Sequence, residues 1–105
     1  MRVIPLLALA IVAGPWAIEI TTSRGSCDPK AMAYVVIENG RVTMAPTPFS
    51  QGGQMPLAGV VRGDGLFRAR VGAVSATGRV QGTSGAGTWI ATEQACSGTW
   101  RAWKR

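Results

Sequence analysis

The 105-residue chain contains no histidine and only five acidic residues. Histidine is the commonest general base and a frequent metal ligand, so these roles would have to fall to other groups. The chain has no Gly-x-Ser-x-Gly nucleophile motif, and its carboxylates are too dispersed to indicate a catalytic pair. They are Glu19, Asp28, Glu38, Asp64 and Glu93. We therefore expect a protein that is not an enzyme and that holds no metal ion or cofactor.

Long hydrophobic runs are also scarce, and the one that is present lies at the N-terminus. Met1-Arg2 precedes sixteen uncharged residues, numbers 3–18. A positive charge followed by a short apolar run is typical of a secretory signal, whereas a membrane span needs about 20 residues. We predict an apolar export helix within a signal peptide at 1–15, or alternatively a retained anchor, followed by a single β domain at 16–105.

Cysteine occurs only twice, as Cys27 and Cys96. A metal site would need more ligands, and redox catalysis would favour a closely spaced pair. An exported protein with an even number of cysteines usually pairs them. We therefore predict a disulfide between the two and a periplasmic or secreted location. Closing a loop of nearly seventy residues would stabilise the domain by roughly 4 kcal/mol.

Negative charge is outweighed by positive charge, since eleven Lys and Arg residues oppose five acidic ones. This balance is typical of proteins that bind nucleic acid, an anionic envelope surface or an acidic partner. The basic residues are scattered singly, apart from a C-terminal group at 101–105, and they form no helical stripe. The distribution argues against nucleic acid. We expect the partner to be a protein or an envelope component, and a membrane only if the N-terminal segment is retained.

Short alternating runs separated by turn residues make up most of the chain. Trp16, Ile18 and Ile20 fall on one face of such a run, and Asn39-Gly40 separates two β-branched runs. Asn-Gly in this setting is the strongest short-range hairpin signal. Turn signals recur every eight to twelve residues. The pattern predicts an all-β domain, namely a small antiparallel meander barrel or sandwich of about 7–8 strands.

The C-terminal part of the chain contains Gly-Thr-Trp twice, at 87–89 and 98–100. This spacing predicts the two arms of one hairpin, with Trp89 and Trp100 opposite or diagonal to each other. Alternation places Trp100 on the same face as Cys96 and places Trp103 on the other face. Trp103 is therefore the tryptophan we expect to be exposed and to contact a partner.

The longest irregular segment, 46–56, contains three prolines and two glycines. Exposed loops of this length often carry binding residues, although its apolar side chains would alternatively fold back over the core. The candidate binding residues come from this loop, from the polar face of one strand and from the last strand. They are Phe49, Gln51, Gln54, Met55, Arg68, Arg70 and Trp103.

The motifs Gly87-x-Trp89 and Cys96-Ser-Gly-Thr-Trp-x-Ala102 resemble the ending of small secreted or periplasmic bacterial β proteins, mostly of uncharacterised function. The first strand of those proteins begins with a Trp and is followed by a Cys about ten residues later, to which Trp16 and Cys27 are similar. The resemblance implies an exported β fold stapled between its first and last strands, and it carries no activity. A weaker likeness is to eight-stranded secreted inhibitors of metalloproteases.

These observations favour an exported, non-catalytic binding protein of the bacterial envelope. An inhibitor of an exported hydrolase and a membrane-anchored accessory subunit of an envelope complex are the alternatives. The interior of the barrel distinguishes two modes of binding. A ligand-holding barrel is expected to show a cavity lined by Trp89, Phe67 or Tyr34, whereas a filled interior would favour recognition at the surface.

Overall fold

The computed structural model describes residues 12–45 and 57–105, which form a closed antiparallel barrel of eight strands. Each strand pairs with its sequence neighbours, and the last strand returns to pair with the first. The predicted all-β meander is confirmed, and closure of the sheet makes it a barrel rather than a sandwich. The strands are β1 (Gly14–Arg24), β2 (Lys30–Glu38), β3 (Arg41–Met44), β4 (Ala58–Val61), β5 (Leu66–Val71), β6 (Val74–Gln81), β7 (Ser84–Ala91) and β8 (Cys96–Lys104).

Residues 1–11 of the predicted signal peptide, and with them most of the predicted export helix, lie outside the described residues, as does the loop 46–56. Within the two described ranges, no helix has the length and apolar character that a membrane crossing requires. The barrel includes residues before the predicted domain start at 16. Strand β1 begins at Gly14, and Val12 is only 6% exposed within the core. Any processed form that keeps the complete first strand therefore starts at or before Gly14.

Alternation along the strands separates an apolar interior from a polar exterior. In β1, Trp16, Ile18 and Ile20 belong to the core or pack against it. Glu19, between them on the outer face, pairs with Arg101 of β8 at 3.3 Å. Among the described residues no polar or charged side chain is buried, so burial of apolar surface drives this fold.

The Asn39-Gly40 hairpin forms as predicted. The two residues have φ angles of 51° and 77°, and both central residues of a type I′ turn need positive φ. The turn places Glu38 opposite Arg41 and sets the register of β2 against β3.

The doubled Gly-Thr-Trp segments lie side by side in β7 and β8, and their register sets the two tryptophans diagonally. Each tryptophan is opposite a glycine of the partner strand, because Trp89 pairs with Gly98 and Gly87 pairs with Trp100. A Cβ atom built on Gly98 would lie 2.9 Å from Trp89 Nε1, and one on Gly87 would lie 2.7 Å from Trp100 Nε1. Each indole ring therefore lies across the partner strand, in space that only glycine leaves free.

The two indole rings cross in opposite directions and tie four strands together. Trp89 of β7 crosses β8 and donates a hydrogen bond from Nε1 to the carbonyl oxygen of Thr21 in β1, at 3.0 Å. Trp100 of β8 crosses β7 and donates from Nε1 to the carbonyl oxygen of Thr77 in β6, at 3.1 Å. The two tryptophans thus link β6, β7, β8 and β1 through the barrel interior.

One end of the barrel is densely filled, and we call it the closed end. It contains the β2–β3, β4–β5 and β6–β7 turns. Trp16 is 1% exposed there and donates from Nε1 to the carbonyl oxygen of Val12 at 2.7 Å. The core side chains at this end are Val12, Trp16, Ile37, Val61, Val80 and Ala102.

The opposite end, which we call the open end, carries the β1–β2 connection and the β7–β8 turn. The predicted disulfide is confirmed here, with the Cα atoms of Cys27 and Cys96 6.1 Å apart. Cys27 lies in the connection after β1 rather than in a strand, while Cys96 opens β8. The bond therefore reinforces the seam at which β8 closes the barrel onto β1.

Replacement of Gly87 by alanine is expected to destabilise the barrel by about 3 kcal/mol or more, because the added methyl group would collide with the backbone carbonyl oxygen of Thr77 in β6 and would lie 2.7 Å from Trp100 Nε1. The matched control is Ala86→Val, which adds carbon atoms to the exposed face of the same strand and should change stability by less than about 0.5 kcal/mol. Urea unfolding followed by tryptophan fluorescence measures both. Equal effects of the two substitutions would contradict the crossed arrangement.

Replacement of both cysteines by serine is expected to lower the free energy of unfolding by roughly 4 kcal/mol, because the unfolded chain regains the entropy of a long loop. The loss should equal that caused by reducing the wild-type protein with a thiol, and thiol should have no effect on the double variant. Unfolding curves that are unchanged by the substitutions would show that the disulfide contributes no stability.

Candidate functional site

The open half of the barrel interior is an unfilled cavity of about 290 Å³. Its walls come from every strand except β4, and from Leu57 just before β4, so the cavity occupies the barrel axis rather than one gap between strands. Of the residues that line it, all but one are apolar. They are Ile18, Ile20, Ala33, Val35, Val42, Met44, Leu57, Phe67, Ala69, Arg70, Val71, Val74, Ala76, Trp89 and Trp100.

The cavity exists because three strands place alanine where the barrel wall faces the open half. Ala33 lies in β2, and Ala69 of β5 pairs directly with Ala76 of β6. The inward residues of the same strands at the closed end are larger, for example Ile37 of β2 and Val80 of β6. Small side chains in one half and large ones in the other leave room at one end only.

Two aromatic rings form the floor of the cavity. The ring centroids of Phe67 and Trp100 lie 4.8 Å apart with their planes inclined at 52°, a tilted arrangement that aromatic pairs favour. Trp89 adds a wall beside them. The indole N–H groups of Trp89 and Trp100 are both bonded to backbone carbonyls, so they present carbon surface to the cavity and no free donor.

Among the neighbouring strands of the barrel, β3 and β4 share the fewest paired residues. These strands pair at only two positions, Arg41 with Val60 and Val42 with Gly59, whereas β2 and β3 pair at four. Met44, 36% exposed, and Leu57, half-buried, lie beyond the paired part and line the cavity. We call this part of the cavity wall, next to the pairing of Ala58 in β4 with Arg70 in β5, the mouth of the cavity.

Among the described residues, Arg70 is the only charged one that lines the cavity. Its register in β5, opposite Ala58 of β4 and Ser75 of β6, places it on the outer face near the open end. It also borders a shallow groove on the outer face, which Arg68 and Val60 share. Arg70 therefore lies between the apolar interior and the outside of the barrel.

The structure brings two of the sequence-predicted site residues together and separates a third from them. Arg68 and Arg70 lie two residues apart on the outer face of β5. Trp103 lies in β8 near the closed end and is 41% exposed, on the face that alternation predicted. The other four candidates, Phe49, Gln51, Gln54 and Met55, are outside the described residues.

Two aromatic residues on the outer face, Tyr34 and Trp103, flank Ala17 at the closed end. Ala17 is paired with Tyr34 on one side and Trp103 on the other, and it is only 2% exposed although it faces outward. The Arg105 guanidinium lies 4.9 Å from the centre of the Tyr34 ring. Tyr34 therefore belongs to the outer surface, and the expectation that it lines the cavity is wrong, whereas Trp89 and Phe67 do line it.

Sequence reasoning missed the alanines that create the cavity and the pair at its mouth, Met44 and Leu57. The missed signal was the size of the inward residues. Alternation assigns inward faces to the first and last strands, but it does not compare the volumes of the inward side chains at the two ends of the barrel. Such a comparison requires the pairing register, because Ala69 and Ala76 are neighbours only in the folded sheet.

Acidic groups lie outside the cavity. Among the residues that the structure describes, the ion pairs are Arg62 with Asp64 and Arg101 with Glu19, each at 3.3 Å on the outer surface. In the same part of the chain, no three His, Cys, Asp or Glu side chains lie close enough to hold a metal ion. The chemistry that the cavity itself offers is apolar contact.

Filling the cavity is expected to be tolerated far better than adding the same atoms at the closed end. Ala76→Phe places a ring in free space and should change the free energy of unfolding by less than about 1 kcal/mol. Ala102→Phe places the same ring among packed core residues and should cost about 3 kcal/mol through overpacking. Chemical denaturation of the two variants measures the difference. Equal losses would mean that the open half is as densely packed as the closed half.

No protein-family model matches this chain, and no curated protein is similar to it in sequence.

Proposed function

We propose that the protein is an exported, non-catalytic binding protein whose barrel holds a small apolar ligand, or the apolar part of a larger one. The observation that carries the proposal is the half-filled barrel. The tryptophans that cross the sheet line an apolar cavity of about 290 Å³. Eight-stranded barrels are wide enough either to be filled by side chains or to hold one small ligand. In this barrel, side chains fill the closed end, and the open end has room for a small ligand.

The size of the cavity favours binding over imperfect packing. Its volume of about 290 Å³ is close to the lower end of the range for ligand pockets, about 300–1,000 Å³. It is also nearly twice the volume of about 150 Å³ at which an apolar cavity already binds benzene. An unfilled cavity lowers stability in proportion to its volume, which is a large disadvantage for a domain of this size unless the space is used.

The walls of the cavity favour a ligand over water. A buried water typically makes about three hydrogen bonds to polar groups. Both indole N–H groups at the cavity are already bonded to Thr21 and Thr77, and the described lining residues include one charged side chain and no other polar one. A ligand with carbon surface can replace water here with a gain in free energy of about 25 cal/mol for each Å² it buries.

The disulfide supports the proposed location. The Cys27–Cys96 bond is consistent with an oxidising compartment, since such bonds are rare where glutathione and thioredoxin keep thiols reduced. A periplasmic or secreted location is the corresponding proposal. The two other functions predicted from the sequence, hydrolase inhibition and anchoring in an envelope complex, are favoured by no contact within the described residues.

Quenching by a brominated alcohol tests the proposal. 8-Bromooctanol has a length and volume that fit the cavity, and its bromine quenches tryptophan fluorescence on contact. In a Trp103→Phe background, which removes the exposed indole, we expect saturable quenching of the tryptophans that line the cavity. Ala76→Phe in that background should abolish the saturable phase, because its ring occupies the site.

The control is Ala86→Phe, which adds the same ring to the outer face of β7 and should leave the quenching curve unchanged. Quenching that rises linearly with concentration, or that is the same in all three proteins, would overturn the proposal that the interior is the binding site. Circular dichroism of each variant verifies that the barrel is folded.

A further inference from the structure

We propose that the ligand is an anionic amphiphile, with an acyl-type apolar chain in the cavity and an acidic head group bound by Arg70 at its mouth. This inference rests on the proposed function and specifies the class of ligand. It combines two observations: the surface of the cavity is apolar, and the one charged residue among the described residues that line it is a cation, Arg70.

Arg70 is positioned for a group that leaves the cavity. It is the second-last residue of β5, next to Val71, whose side chain lines the open half of the interior. Arg70 lines both the cavity and the groove, and it is an exposed residue on the outer face of β5, so its guanidinium lies outside the apolar interior. A chain that lies along the barrel axis would bring a terminal acidic group to this boundary, where the guanidinium can donate hydrogen bonds and remain hydrated.

The guanidinium of Arg70 makes no ion pair with any described residue, in contrast to those of Arg62 and Arg101. The three neighbouring strands β4, β5 and β6 contain Arg68, Arg70 and Arg79 and no Asp or Glu. The acidic residues of the open-end connections, Asp28 and Glu93, belong to the β1–β2 and β7–β8 connections and not to strands beside β5. This side of the mouth therefore has a positive potential that favours an anion.

The cavity volume limits the apolar part of the ligand. At about 30 Å³ per heavy atom, the share of a water molecule in the liquid, a cavity of about 290 Å³ holds roughly ten heavy atoms. A saturated chain of about eight to ten carbons fits this space. A free medium-chain carboxylate and one chain of a larger anionic lipid share this chemistry, and the probes below separate them.

Three decyl compounds with different head groups test the proposal: decanoate, decanol and decyltrimethylammonium. Each is titrated below its micellar concentration at pH 7.5, and its dissociation constant is measured by competition with 8-bromooctanol for tryptophan quenching. We expect decanoate to bind about three to ten times more tightly than decanol, as for a partly exposed charge-assisted hydrogen bond, and the cationic compound to bind more weakly than decanol.

The variant Arg70→Gln should remove the preference for decanoate over decanol while leaving the affinity for decanol unchanged. Arg70→Lys should restore part of the preference, because it keeps the charge. The matched control is Arg68→Gln, since Arg68 lies on the same face of β5 but does not line the cavity. This control should retain at least half of the wild-type preference. Both substitution sites are exposed positions on one face of β5, and thermal unfolding verifies that each of the three variants is folded.

The outcomes distinguish this inference from the function on which it rests. Equal affinity of the wild-type protein for decanoate and decanol, or an equal loss of preference in both glutamine variants, would overturn the role of Arg70 and leave apolar binding intact. Failure of every decyl compound to displace 8-bromooctanol would overturn the acyl ligand. Absence of saturable quenching by 8-bromooctanol itself would overturn the proposed function.

Lysophosphatidylglycerol with a ten-carbon chain then distinguishes a free carboxylate from a larger anionic lipid as the source of the chain. Binding as tight as that of decanoate would show that an anionic lipid is a competent ligand.

Discussion

The crossing of Trp89 and Trp100 over facing glycines is the interaction on which the rest of this barrel depends. An indole ring can lie across a neighbouring strand only where that strand has no Cβ atom, and the register of β7 against β8 supplies a glycine at each crossing. Each ring then reaches a backbone carbonyl beyond the strand it crosses. In this way two side chains span the interior, join four strands and divide the barrel into two halves.

The two halves of the barrel are stabilised in different ways. The closed half is filled by Trp16 and by aliphatic side chains, and it supplies the packed core that a small domain needs. The open half lacks such packing, and the disulfide between Cys27 and Cys96 lies at that end. A covalent link restricts the unfolded chain and needs no side-chain packing to do so. It therefore stabilises the end of the barrel at which the interior is kept free.

The binding hypothesis follows from the same arrangement. The aromatic floor uses its N–H groups within the protein, so the cavity recognises shape and carbon surface rather than hydrogen-bonding pattern. Polar selection is then left to the mouth, where Arg70 lies beside strands that carry no acidic residue. The lack of histidine and the dispersed carboxylates, which argued against catalysis, are compatible with a site of this type.

The sequence by itself determined what depends on local chemistry. Strand alternation, the Asn39-Gly40 turn, the pairing of the only two cysteines and the outward position of Trp103 all follow from near neighbours or from composition, and all appear in the structure. Closure into a barrel, the diagonal arrangement of the tryptophans and the cavity depended on tertiary structure. Ala69 and Ala76 form a gap only because the sheet pairs them, and Arg70 lies beside the cavity only because the register of β5 places it between Ala58 and Ser75. Register between strands sets which side chains meet, and register is decided by packing over the whole barrel rather than by any one segment.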